Sequence, residues 1–497
     1  MISKTDFKNF EQNFSDGKSQ VLWQWVPADL ETPVGAFLKL AGHAPYSFLL
    51  ESVEGGATLG RYSAIGLEPD LIWKTDKQTK NPLNSLRQHL LESKIEAVDD
   101  TLPPMAASGL FGFLGYDCVR WVEDIPDTNP DTLNIEDSIM MRPTKMVLFD
   151  NVKNMMCLAT PVRDHANNCD ATADDIFIQA QSRLDGLYNA LQNPIDTTLV
   201  HTKTKLTKTP KANSNMTREY FHDMVHKAKD EIVAGEIFQA VLSQRFDIDF
   251  DLPAFDLYRS LRRLNPSPFL FYINFDGFAL VGSSPEILVR LRDNTVTIRP
   301  IAGTRKRGKD TAEDKILADD LLSDAKERAE HLMLLDLGRN DIGRVAQGAS
   351  VKVTDQFQVE LYSHVMHIVS NVEGTLQADK DSIDALFAGF PAGTTSGAPK
   401  IRAMQIIDDL EPTRRSFYAG CVGYLDGNGD LDTCIALRTA LVKDGKVYVQ
   451  AGGGVVADSD PEFEYQESCN KARAIINAAE NAIEIAQING NENTGKN

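Results

Sequence analysis

The chain has 497 residues, room for about two to four domains, and carries 51 Lys and Arg against 71 Asp and Glu for a net charge of −20. Such a field repels phosphate backbones and anionic lipid, which argues against general nucleic-acid or membrane-surface binding but permits local basic side chains around a small anion. Cys118, Cys157, Cys169, Cys421, Cys434 and Cys469 are scattered without a C-x-x-C pair, against a zinc site or disulfide framework and in favour of reduced thiols.

The first residues, Met1 to Phe10, lack a signal-peptide core, and no apolar run approaches the roughly 20 residues of a membrane helix, so a soluble, cytoplasmic protein is expected. Short strands follow at Val21–Val26, Ser47–Leu50 and Leu71–Trp73, then at Gly109–Gly115 and Thr144–Phe149. Helical spacing returns over about 171–191. Residues 193–215, rich in Thr, Lys and Asn, read as a linker between segments 1–192 and 216–490.

Beyond it, Thr217 caps a helix whose apolar face is Tyr220, Phe221, Met224, Val225, Ala228 and Ile232, with Gly235 as its stop. Ile237–Leu242 looks like a buried strand, and a helix over about 254–264 ends at Asn265-Pro-Ser-Pro268. Hairpin turns fall at Asp276-Gly277 and Asp293-Asn294, one long helix is expected over about 311–337, and 413–456 reads as a meander. Tight turns between strands, with helices in blocks, predict an α+β fold with large antiparallel sheets.

Two motif matches fail in context. Gly452-x-Gly454-x-x-Ala457 fits a dinucleotide fingerprint, but Asp458-Ser-Asp-Pro461 delays the helix that must open at once. Asp426-x-Asn428-x-Asp430 begins like a calcium loop, yet Leu431 and Leu437 stand where glycine and a bidentate carboxylate are required.

Other features carry more chemistry. Gly452, Gly453 and Gly454 follow a strand-like run, and without Cβ atoms they expose backbone N–H groups to an anion and tolerate unusual φ. Glu467 and Lys471 behind them are i, i+4 neighbours, ordinarily a surface ion pair. Glu327 and Glu330 share a helix face with His331 next in sequence. A solvated face is the usual reading of so charged a helix, but Glu330 and Glu467 could supply the two protein carboxylates that magnesium typically takes. His364 and His367 would face the same way on a helix turn and opposite ways on a strand, and each alone is more often structural. Phe390-Pro-Ala-Gly-Thr-Thr-Ser-Gly-Ala-Pro-Lys400 has the composition of an anion-wrapping loop without being a Walker A motif, and Pro300-Ile-Ala-Gly-Thr304 is a glycine turn before Arg305-Lys-Arg307. Several such loops in an acidic chain suggest a small polycarboxylate ligand.

Together these stretches resemble the chorismate-utilising enzymes, most closely anthranilate synthase component I. The resemblance rests on Pro300–Thr304, Glu330-His-Leu-Met333 with Asp336–Asp341, Tyr362–His367, Gly393–Lys400, Asp432-Thr-Cys434 with Arg438, Gln450–Gly454, and Glu467 with Asn470–Arg473. It is strong from about 216 to 480 and weaker over the N-terminal third, and it implies a two-layer, sandwich-like arrangement of the sheets with helices packed outside.

Carried over residue by residue, it implies that Glu330 and Glu467 hold Mg2+, that Gly303, Thr304, Tyr418, Arg438, Gly452, Gly453, Gly454 and Lys471 bind chorismate, and that Glu327, His367 and Thr394 are catalytic. Glu327 matches the proposed general acid that protonates the departing 4-hydroxyl as ammonia adds at ring C2; His367 matches the histidine that supports loss of pyruvate. Relatives that use a lysine nucleophile have it where this chain has Ala302, and isochorismate and salicylate synthases place a base lysine where it has Gln239, so ammonia is the expected nucleophile and anthranilate the product. The rival readings are an aminodeoxychorismate synthase component I, an aminodeoxyisochorismate synthase or an inactive regulatory homologue.

No segment with a nucleophile-elbow cysteine accompanies these motifs. A separate glutamine amidotransferase subunit is therefore implied as ammonia donor, in a complex of two large and two small subunits. Ser52, Pro268, Phe269 and Leu270 match the family's tryptophan site, which makes segment 1–192 regulatory and partner-contacting and 216–490 catalytic, with L-tryptophan as feedback inhibitor.

Overall fold

Two long paired strands, Tyr62–Thr75 and Ser138–Asp150, join the two sheets in a computed structural model that describes residues 4–54, 58–106, 109–163, 171–206, 210–362 and 365–492. Cys169 and His364, singled out above, lie outside those residues. Met146–Asp150 continues through Met155–Val162 to Gln20–Pro27. Across Tyr62–Thr75 the same sheet runs through Ser47–Glu51, Phe269–Asn274, Phe278–Ser284, Thr439–Lys443 and Lys446–Val455 to Gln239–Asp249. Ser138–Met141 instead starts the other layer, through Leu110–Leu114, Cys421–Leu425, Leu431–Ile435, Ile287–Arg292, Thr295–Ile298 and Val365–Thr375. All these pairings are antiparallel, and the expected α+β sandwich is what forms.

Side-chain direction alternates along each strand, so one face meets the other layer and the opposite face the helices: Phe48 and Phe271 enter the core between the layers, Leu49 and Tyr272 the core outside. Between the layers Phe48 stacks on Phe111 at 4.7 Å, joined by Phe113, Leu280, Val289 and Ile435, all buried. A second core lies outside the longer sheet, where the Ala173–Gln192, Ala254–Leu264 and Pro461–Glu492 helices bury Leu184, Leu257, Tyr258, Ala478 and Ile483. Among the described residues no helix is long and apolar enough to cross a membrane.

The expected single helix over 311–337 is two helices, Thr311–Ser323 and Ala325–Gly343. Asp324 breaks it: its backbone is extended at φ −68, ψ 112, and its carboxylate accepts from the amides of Lys326 and Glu327 at 3.0 and 3.2 Å. An aspartate that caps the following helix competes with continuing the preceding one. The break places Glu327 in the first turn of the second helix.

The 193–215 boundary does not separate two closed cores. Ser47–Glu51 pairs with Phe269–Asn274, Leu110–Leu114 with Cys421–Leu425, and Arg87 and Arg120 reach Asp381 and Asp408.

Candidate active site

Three elements converge from the chain beyond residue 216: the glycine strand Lys446–Val455, the Ala325–Gly343 helix and the start of Pro461–Glu492. Gly452, Gly453 and Gly454 lie in ordinary strand conformation, not at positive φ. Their lack of side chains has a different use from the one expected. A Cβ on Gly453 would sit 2.7 Å from Glu464 Oε2 and 2.9 Å from Glu467 Oε2, and one on Gly454 would sit 2.3 Å from Gln239 Nε2. The strand's second edge is paired with Thr439–Lys443 only as far as Val449, so beyond Gln450 one edge of the backbone faces the site.

Glu467 Oε1 accepts from Lys471 Nζ at 3.0 Å, and the same ammonium donates to the Gly452 carbonyl at 3.0 Å. Gln239 Nε2 reaches Glu330 Oε1 at 3.5 Å, and Gln239 Oε1 has no hydrogen-bond partner among the described residues. Burial, with the charges of Glu327 and Glu467, raises Glu330 above the usual carboxylate range; burial raises Glu464 to about 7, with the Glu467 charge adding to it. Glu464 Oε2, aimed at Gly453, is also unpartnered.

This crowding of carboxylates fits a hard cation with oxygen ligands. Among the described residues, no three His, Cys, Asp or Glu side chains are arranged to enclose a metal alone. A two-carboxylate site that leaves other positions to water and substrate suits magnesium.

On the other wall, Gly303 adopts φ +72 in Ile301–Lys306, where a bulge shifts the pairing with Val365–Thr375 and brings Thr304 opposite His367. His367 Nδ1 lies 3.0 Å from the Gly303 carbonyl and 3.1 Å from Thr304 Oγ1. A carbonyl only accepts, so the proton is assigned to Nδ1, which leaves Nε2 as a base. Burial, aided by the Arg438 charge, lowers the imidazole to about 4 and keeps it neutral.

Glu286 is the residue the sequence reading missed. It is 6% exposed, and burial raises it to about 8 despite the hydrogen bonds and cations around it. Thr394 Oγ1 donates to its Oε1 at 3.1 Å, the Ile301 amide also donates, and Arg438 and Lys471 face it. The only sequence signal was a lone acid inside the apolar run Gly282-Ser-Ser-Pro-Glu-Ile-Leu-Val289. Glu327 stands differently: its Oε1 is ion-paired to Arg305 Nη1 at 3.1 Å, within a clasp that includes Asp320 and Asp324, and its Oε2 lies 3.2 Å from where a Gly303 Cβ would be.

Tyr418 is buried against the Gly452 backbone, and burial pushes its phenol up to about 12. Arg438 adopts φ 48, with its guanidinium near Tyr362 and Glu286. Of the four residues compared with a tryptophan site, Leu270 is the register partner of Glu51; the pairing of these strands ends there, with Ser52 and Phe269 the next residue on each. Glu51 is locked by Arg262 at 2.7 and 2.9 Å and by the Tyr258 hydroxyl at 2.5 Å.

A sandwich holding paired carboxylates, a neutral histidine, a buried carboxylic acid and convergent cations defines an enzyme for a small carboxylate substrate. The chain belongs to the chorismate binding enzyme family, whose sequence profile matches residues 46–477. Within that family it is similar to anthranilate synthase component 1 of Cereibacter sphaeroides, 50% identical over 98% of this chain and 100% of that protein. The Pseudomonas putida protein of the same name is 46% identical over 91% of this chain and 93% of its own length. The crystal structure of anthranilate synthase component I from Streptococcus pneumoniae superposes with a TM-score of 0.75 at 35% identity, covering 91% of this chain and 99% of that one. MenF, the menaquinone-specific isochorismate synthase of Escherichia coli, shares the fold at a TM-score of 0.68 and 22% identity, covering 95% of this chain and 98% of that one.

Proposed function

We propose that this chain is the chorismate-converting component of an anthranilate synthase, a lyase that takes chorismate and ammonia to anthranilate, pyruvate and water in tryptophan biosynthesis. The near-full-length likeness to proteins of that name supports the activity. The observation that carries the mechanism is that Glu286 and His367 are both buried and both lie within reach of the Arg438 and Lys471 charges, so that burial favours a neutral acid and a neutral imidazole around the same cations.

Arg438, Lys471, Tyr418 and the backbone from Gly452 to Gly454 receive the substrate carboxylates, Arg438 with the planar fork that suits them. Glu330 and Glu467 would hold magnesium. Bound there, the ion would neutralise substrate charge and withdraw electrons from the ring as a Lewis acid.

In the first step the nitrogen lone pair forms the C2–N bond, the ring π electrons shift, and the C4–O bond breaks. The hydroxyl leaves as water, and Glu286 supplies the proton, a role its environment supports better than that of the ion-paired Glu327. In the second, His367 Nε2 takes the C2 proton, the ring C3–O bond breaks with its electron pair leaving on oxygen, the ring becomes aromatic, and the released enolpyruvate takes up a proton at its methylene carbon to become pyruvate. Gln239 and Ala302 offer no amine to activate water or attack the ring, which leaves ammonia as nucleophile.

Ammonia comes from glutamine through a partner amidotransferase subunit, in a complex of two large and two small chains. Tryptophan binds at Ser52, Pro268, Phe269 and Leu270 and inhibits by favouring a less active state. The test is purified chain with chorismate, ammonium and magnesium, followed by anthranilate fluorescence with and without a chelator. Metal-dependent anthranilate supports the reading; no anthranilate with each ingredient verified would sink it.

A further inference from the structure

Behind the pocket lies a buried cation that neither the substrate nor the metal site uses. Arg415 is 2% exposed. Its Nε and Nη2 meet the Glu411 carboxylate at 2.9 and 2.7 Å, its Nη1 donates to the Thr395 carbonyl at 2.6 Å, and its Nη2 donates to the Val241 carbonyl at 2.6 Å. The guanidinium also lies 4.9 Å from the Tyr116 ring and 5.5 Å from the Tyr418 ring. Glu411 is fixed from behind by the Ser243 amide at 2.9 Å and the Ser243 hydroxyl at 2.7 Å.

Three of these contacts, to Thr395, Val241 and Tyr418, end on or beside residues of the candidate site. Thr395 follows Thr394, whose hydroxyl holds Glu286. Val241 is the register partner of Gly454, and its amide donates to the Ser396 carbonyl at 2.9 Å. Tyr418 is held by stacking and through its amide, which donates to the Arg415 carbonyl at 3.1 Å. Burying an ion pair is a poor way to gain stability, because desolvation offsets much of the attraction. A planar, five-donor fork is a good way to fix several acceptors at set angles, and lysine cannot do this.

We infer that Arg415 is a positioning residue for the reaction: by gripping the Thr395 carbonyl it aims the Thr394 hydroxyl at Glu286, and by stacking it seats Tyr418 against the substrate. The inference rests on the reading of Glu286 as the acid. Glu286 is faced by Thr394, the Ile301 amide, Arg438 and Lys471, with Tyr362 nearby. Arg415 is not among these groups, so its influence passes through the loop.

A purely structural Arg415 would change stability and leave the pH profile alone. The Thr394 hydrogen bond lowers Glu286 against the upward push of burial, so losing it raises the acid further. Activity requires the protonated acid and is lost as pH rises through its pKa, so the high-pH limb of kcat should move to higher pH.

The experiment compares full-length wild type, Arg415→Lys, Thr394→Val and the double variant, with magnesium, saturating chorismate and a fixed free-ammonia concentration. Arg415→Lys should lower kcat on the order of 10²-fold, change KM for chorismate far less, and shift the limb in the same direction as Thr394→Val. The double variant should shift it no further. An unmoved limb in Arg415→Lys, or additive shifts in the double variant, overturns the proposal. If Arg415→Lys does not fold, Glu411→Gln is read by the same criteria, and failure of both to fold makes the pair structural only and also overturns it. Wild type without anthranilate, or full turnover by Glu286→Gln, instead removes the reading beneath it.

Discussion

Glu286 and Glu327 show how two glutamates of one site acquire different chemistry. Glu286 lies buried between the Phe278–Ser284 and Ile287–Arg292 strands, where desolvation favours the neutral acid despite Arg438 and Lys471; Glu327 lies at a helix start against Arg305. Glu286→Gln should therefore reduce kcat on the order of 10²- to 10⁴-fold with chorismate binding retained. Glu327→Gln should cost less, and the reverse order in steady-state kinetics would return the acid role to Glu327.

The pH dependence follows from Glu286 and His367. Glu286 at about 8 must be protonated, so kcat should fall as pH rises through about 8. His367 at about 4 must be neutral, so no limb should appear near the ordinary histidine value, and activity should fall only as pH drops towards about 4. A kcat profile with free ammonia held constant, in wild type and His367→Asn, checks both limbs. Glu330, Glu467, His367, Arg438 and Lys471 were legible as residue types in motifs. Glu286 was not, because its partners Thr394, Ile301 and Arg438 are distant in sequence and only folding gathers them.

At the scale of elements, the glycine strand was expected to offer backbone N–H groups to an anion and to tolerate unusual backbone angles, and its angles are those of an ordinary strand. The glycines instead leave room for the carboxylates of the following helix and for Gln239. In Gly453→Ala the new methyl would lie 2.7 Å from Glu464 Oε2 and 2.9 Å from Glu467 Oε2. Displacing those side chains should raise the magnesium concentration for half-maximal activity by about 10- to 100-fold with the fold intact by circular dichroism. An unchanged magnesium titration would show that these contacts do not shape the site.

Strand and hairpin positions were readable because alternation and turn residues are local: Asp293 and Asn294 do take positive φ, 47° and 63°. The break at Asp324 was not, because helical spacing continues through it and only its capping hydrogen bonds reveal the stop. Asp324→Ala removes that cap and one partner of Arg305, and should lower stability, read as a lower denaturation midpoint.

Across the whole molecule, the sandwich binds the proposed regulatory site to the catalytic one. Ser47–Glu51 pairs with Phe269–Asn274, which turns at Asp276-Gly277 into Phe278–Ser284, and Glu286 follows two residues later. A ligand bound at the proposed site would act on strands that lead to the position of Glu286. Ser52→Arg should weaken tryptophan binding by calorimetry and relieve inhibition without changing uninhibited kcat; unchanged inhibition would move the effector elsewhere. The linker composition at 193–215 was visible in the sequence, but the strand pairings across it were not, since register between distant segments leaves no local signal.

The central claim is that ammonia becomes the ring amine of anthranilate. Full-length protein with chorismate, magnesium and ¹⁵N-ammonium, analysed by mass spectrometry, tests it most directly. Anthranilate heavier by about one mass unit, together with an equal amount of pyruvate, is the expected result. Labelled product that retains the enolpyruvyl group, or consumption of chorismate without label entering the ring, would contradict it.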